Sequence, residues 1–144
     1  MLEERFAAGV RSGLIATAAT SGVLVAYGLR TGSLTASFLF LGRHLGGFRD
    51  AIYPQSTVVL AGFLLHAAWI VAWCVVYALL TAGARPLLRA PVAFLVAGMA
   101  YYASSYLIGS ALDSSGVGIT RWLFLHIVFA VAMLTGTRFA KTEY

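Results

Sequence analysis

Four stretches of this chain are each long enough and apolar enough to cross a lipid bilayer, and few residues are left over for anything else. They run over roughly residues 9–29, 57–82, 91–112 and 119–139. A spanning helix needs about 20 mostly apolar residues, because hydrocarbon offers the backbone no hydrogen-bond partner outside the helix itself. Arg11 stands near the mouth of the first stretch, and Pro91 suits the first turn of the third. Turn-forming residues fill the connectors "AGARPLLRAP" and "DSSGVG". The chain is 60% hydrophobic and 10% charged, with a mean hydropathy of +0.87. Soluble domains run near 45–50% apolar and about 25% charged, so composition and pattern agree. The length of 144 residues fits a single domain. The expected fold is therefore all-α: a polytopic membrane protein with four transmembrane helices, plus one interfacial amphipathic helix between the first and second.

That extra helix is read from residues 33–48. Leu34, Phe38, Leu41, Leu45 and Phe48 recur at steps of four, three, four and three, which is one face of a helix. Ser33, Ser37, Arg43, His44 and Gly47 fall elsewhere around it, and Phe40 interrupts the polar side. The segment is too short and too polar to span, so it is expected to lie in the membrane interface. A helix docked against a partner subunit is the competing reading.

The net charge of +5 raises the question of nucleic acid. The basic residues stand singly between apolar runs, with no cluster and no aromatic-basic platform, so no nucleic-acid partner is expected. Their distribution instead bears on orientation. Arg5, Arg11, Arg85, Arg89, Arg138 and Lys141 share the side of the termini, against Arg30, Arg43, Arg49 and Arg121 on the other. Six against four places both termini in the cytoplasm. Cys74 is the single cysteine and makes no internal disulfide. The start "MLEERF" has two acids, no basic n-region and no cleavage site, so no removed signal peptide is expected.

The first helix is rich in small residues. Gly9, Gly13, Thr17 and Ser21 repeat every four positions, and Ala18, Gly22 and Ala26 form a second row. Small residues let backbones approach in lipid, where the hydrophobic effect no longer drives helix association. This helix is expected to be surrounded by protein on more than one side, with Leu24 facing lipid. The hydroxyls of Thr17, Thr20 and Ser21 are expected to bond back to their own helix.

Two ionisable residues interrupt the apolar runs: His66 in "FLLHAAW" at 63–69, and His126 in "LFLHIVF" at 123–129. The second and fourth helices run in the same direction, so both histidines lie roughly 10–14 Å deep from one side. Aligning the two segments puts an aromatic three residues after each histidine, a hint that two helical hairpins form a repeat. One reading makes His66 and His126 the axial ligands of a b-type haem, or holders of another bound pigment. Gly62 and Ala130 would then leave room for the macrocycle edge. A second reading has each imidazole satisfied between helices by a tyrosine or serine, with Tyr101 and Tyr102 near the right depth. A proton or small-solute path is the third. It is disfavoured because no Asp, Glu, Lys or Arg falls at the membrane centre.

Two resemblances add to this. "GRHLGGFRD" at 42–50 resembles the Arg-His-Leu and downstream Asp pattern in the membrane anchors of succinate dehydrogenases, over nine residues. Phe48 stands where that family's acid falls and the upstream histidine is missing, so Arg43, His44, Arg49 and Asp50 are expected to form an interfacial rim rather than a quinone site. Across its length the chain loosely resembles small bacterial four-helix integral membrane proteins, through "GLIATAAT" at 13–20 and the histidines of helices two and four. That resemblance implies the topology and a bacterial inner membrane, and no reaction. There is no His-x-x-x-His, nucleophile elbow or phosphate loop, and Ser104-Ser105 and Ser114-Ser115 have no base nearby in sequence. No catalytic residues and no metal ligands are therefore assigned. The expected function is a non-catalytic accessory subunit of a larger integral membrane complex of respiratory or photosynthetic type, its partners being the lipid bilayer and other membrane subunits. The alternative is a haem- or pigment-binding electron-transfer subunit built on His66 and His126.

Overall fold

The computed structural model describes residues 2–30, 32–45, 52–112 and 118–139. They form five helices and, among the described residues, no strand: α1 Leu2–Arg30, α2 Ala36–Leu45, α3 Gln55–Leu80, α4 Pro86–Leu112 and α5 Gly118–Phe139. Helices α1, α3, α4 and α5 are each long and apolar enough to cross a membrane. Of the residues singled out above, Gly47, Phe48, Arg49, Asp50, Ser114, Ser115 and Lys141 lie outside the described residues, as do the side chains of Leu45 and Arg138.

The ends of the helices follow local chemistry. α1 begins seven residues before the apolar run, because Glu3 and Glu4 in its first turn complement the positive helix terminus. It stops at Gly32, whose φ of 85° is the left-handed conformation glycine adopts at least cost. The Gly32 amide donates to Leu29 O at 3.2 Å and the Ser33 amide to Gly28 O at 3.0 Å, the paired bonds of a Schellman ending. A second left-handed glycine, Gly83 at φ 79°, turns the chain from α3 into α4.

α4 starts at Pro86 and not at the expected Pro91, which lies inside the helix. A proline at the first helical position loses no bond. At its interior site Pro91 deprives the Leu87 carbonyl of a helical partner. Leu87 is strongly exposed, so that carbonyl can bond to its surroundings.

α1 is the hub. It packs most extensively against α3 and α5, while α5 packs on α4. α3 and α4 meet only sparingly. Glycine sets the close seams. A Cβ at Gly9 would stand 2.7 Å from Val75 Cα, and one at Gly13 2.8 Å from Val71 Cα, so both positions bring α1 onto the α3 backbone. Gly136 of α5 does the same against Ser12 of α1, whose hydroxyl donates to Met133 O at 3.2 Å. The first small-residue row of α1 is thus consumed inside the bundle.

The second row is not. Ala18, Gly22 and Ala26 are exposed, and a Cβ at Gly22 would meet nothing within 4 Å. Leu24, expected to face lipid, is 2% exposed and packs with Phe38, Leu41, Trp122 and Leu125. Of the three α1 hydroxyls expected to bond back, Thr20 does so, to Ala16 O at 2.8 Å. Thr17 Oγ1 and Ser21 Oγ find no partner among the described residues.

α2 docks on its own chain, against α3 and α1. Phe38 and Leu41 point inward as the spacing predicts, and Arg43 and His44 outward. Leu34 is exposed, while Ser37 is buried with its hydroxyl donating to Leu24 O at 2.9 Å. Two glycines allow the contact: a Cβ at Gly62 of α3 would fall on the Phe38 carbonyl, and one at Gly42 of α2 on the Val58 carbonyl.

Candidate functional site

α3 and α5 both run opposite to α1, as the pairs Gly9–Val75 and Gly13–Val71, and Ser12–Met133 and Tyr27–Arg121, show, and each carries its histidine on the face turned into the bundle. Both line one cavity of about 220 Å³. Its wall is built from Leu41 of α2, Leu65, His66, Trp69 and Ile70 of α3, Ser104 and Leu107 of α4, and Trp122, Leu125, His126 and Phe129 of α5. It sits where α3 and α4 stand apart. Leu65 and Leu107 are exposed as well as lining, so the cavity opens on the outer surface between those two helices.

Each histidine is bonded across a hairpin to a hydroxyl on the preceding long helix. His66 Nε2 lies 2.9 Å from Thr20 Oγ1. His126 Nε2 lies 3.4 Å from Ser104 Oγ, and its Nδ1 donates to Trp122 O at 2.9 Å. The pairs Thr20–His66 and Ser104–His126 each set a hydroxyl of one long helix beside a histidine of the next. A serine does stand beside one imidazole, as sequence reasoning allowed, but at 3.4 Å and with its proton closer to the Tyr101 carbonyl. Thr20 was missed as a histidine partner, because its back-bond to Ala16 already accounted for its presence; its place at the depth of His66 was the available signal. Tyr101 meets His126 through the ring, edge-on at 5.3 Å between centroids, and not through its hydroxyl. Tyr102 is exposed.

Aromatic rings hold the imidazoles in place. Trp122 stands 5.2 Å from His126, and its Nε1–H donates to Ser104 Oγ at 3.2 Å. Phe38 of α2 lies 6.1 Å from His66 and 5.6 Å from Phe63. Arg121, one residue before Trp122, lies 5.9 Å from the centre of the Tyr27 ring, and the Tyr27 hydroxyl donates to Arg121 O at 3.1 Å. These contacts tie α1 to α5 near the cavity end of the bundle.

A haem or chlorin ligated by His66 and His126 does not fit this arrangement. An apolar cavity of about 150 Å³ accommodates one benzene ring. About 220 Å³ therefore suits one substituted ring, far short of a tetrapyrrole. The Gly62 surface, expected to receive the macrocycle edge, is covered by the Phe38 backbone, and Ala130 is fully buried in the core. Both Nε2 atoms already face hydroxyls. Among the described residues no group of three or more His, Cys, Asp or Glu side chains is placed to hold a metal ion.

No protein-family model, curated protein or solved structure matches this chain. The resemblances drawn from short motifs rest on those residues alone.

Proposed function

We propose that this chain is a four-span integral membrane protein that serves as a non-catalytic accessory subunit of a larger membrane complex, of respiratory or photosynthetic type. In this reading both termini lie on the cytoplasmic side of a bacterial inner membrane, and α2 lies at the opposite interface with Arg43 and His44 toward the headgroups. The observation that carries the assembly role is the outward row Ala18, Gly22 and Ala26 on α1. The inner row of the same helix is used to seat α3, which shows what such a row accomplishes in this chain. An outer row with open space before it suits a helix of another subunit, since small residues permit close backbone approach in lipid.

Two measurements test this. Purification in mild detergent after in-cell crosslinking should bring down a defined membrane partner; a lone monomer in both conditions would refute the accessory role. Cysteine labelling in intact cells should modify Arg43→Cys from outside and leave positions near either terminus unlabelled. Labelling of the two termini from opposite sides would refute four spans.

A further inference from the structure

We infer that the cavity between α3, α4 and α5 is a binding site for a lipid-soluble phenol: one aromatic ring bearing at least one hydroxyl. The size argument comes first. A cavity of about 220 Å³ exceeds the roughly 150 Å³ that takes benzene by the room for small ring substituents. Its walls are leucine, isoleucine, phenylalanine and tryptophan, and its mouth at Leu65 and Leu107 faces outward. A ligand therefore enters from the apolar surroundings of the bundle.

The polar groups then define the ligand's chemistry. The Trp122 carbonyl only accepts, so His126 Nδ1 carries the proton and Nε2 of the neutral ring carries a lone pair. The one nearby hydroxyl proton belongs to Ser104. That oxygen lies 3.0 Å from Tyr101 O and 3.4 Å from Nε2, so the proton goes to the nearer carbonyl. The same reasoning applies at His66. Thr20 donates to Ala16 O at 2.8 Å, so its 2.9 Å contact with Nε2 is made by the imidazole N–H, and His66 Nδ1 keeps the lone pair. No described residue donates to it. Trp69, a third lining residue, has its indole N–H buried and unpartnered. The wall thus offers two imidazole lone pairs in apolar surroundings, where unpaired polar atoms are costly, while the Trp69 indole N–H stays buried behind it. A phenolic hydroxyl answers them by donating to an imidazole.

A free phenol and the quinol head of a prenylated lipid share this chemistry, and an alkyl tail has an exit at the Leu65–Leu107 mouth. The proposal rests on the four-span reading, which incorporation into nanodiscs reports separately. Failure to incorporate would remove the lipid-phase route, and the probe comparison below, repeated in detergent, would still decide the ligand class.

The test titrates 4-ethylphenol, 4-ethylanisole and decylhydroquinone into the wild-type protein in phosphatidylcholine nanodiscs. Tryptophan quenching is followed, and empty nanodiscs are subtracted. 4-Ethylphenol should bind about five- to tenfold more tightly than 4-ethylanisole, which keeps the ring and the acceptor oxygen but lacks the donor. Trp69→Phe, which removes part of the wall the ring packs against, should weaken 4-ethylphenol binding severalfold, and Leu107→Trp at the exposed mouth should abolish it. Tighter binding of decylhydroquinone points to a prenylated lipid, and equal binding to a free phenol; either supports the ring class. Equal affinity for phenol and anisole, or phenol binding unchanged in both variants, would overturn the proposal. If Leu107→Trp does not fold, the wild-type pair and Trp69→Phe decide alone.

Discussion

The seam between α1 and α3 and the gap between α3 and α4 are made from the same apolar residue types, yet one is closed to the backbone and the other holds a cavity. The difference lies in side-chain size at the crossing. Gly9 and Gly13 let α1 settle onto Val75 and Val71, with no room left for a methyl group. Across the gap, α3 and α4 meet only sparingly, and Leu65, Trp69 and Leu107 line the cavity left between them. In a bundle whose helices are apolar all round, hydrophobicity does not say which faces meet. Small residues decide where backbones touch.

This contrast breaks first at the contact of α2 with α3. Gly62→Leu should be the most damaging change, since even a Cβ there falls on the Phe38 carbonyl. Overpacking of this severity costs about 3 kcal/mol or more. The expected outcome is a large drop in thermal stability in detergent together with protease access to the segment around α2. Thr20→Val should cost less, about 1 kcal/mol, because it keeps the shape and removes the hydroxyl that accepts from His66. A hydroxyl-restoring Thr20→Ser should recover most of that loss in the same melting assay. Leu14→Phe should change stability by less than about 0.5 kcal/mol, since Leu14 is strongly exposed on α1. A loss comparable to Thr20→Val would mean that this face of α1 is packed after all.

How far the sequence revealed this can be judged from the same residues. The four long helices were legible because unbroken apolar runs of that length have few other solutions, and α2 because Phe38 and Leu41 keep helical spacing. The inward direction of both histidines was legible too, since an ionisable group among apolar residues turns toward partners. Leu24 was misplaced because a leucine surrounded by apolar neighbours carries no facing signal of its own; only its packing on Phe38 and Trp122 fixes it. The roles of Gly62 and Thr20 depend on α2 and α3 arriving at particular heights along their neighbours, which spacing within one helix does not encode. Pro91 competed with Pro86 as a helix start, and proline chemistry alone permits either.

The most direct test of the account sets the two rows of α1 against each other in one experiment. Gly13→Leu and Gly22→Leu place the same side chain on the inner and the outer row of the same helix. Thermal unfolding in detergent and partner co-purification are read for both. Gly13→Leu should lower bundle stability by about 1–3 kcal/mol, because its Cβ already meets Val71. Gly22→Leu should leave the melting temperature of the isolated chain unchanged and lose the partner. If Gly22→Leu instead destabilises the isolated chain while Gly13→Leu does not, the inner and outer faces of α1 have been assigned the wrong way round, and both the packing and the assembly role fall with them.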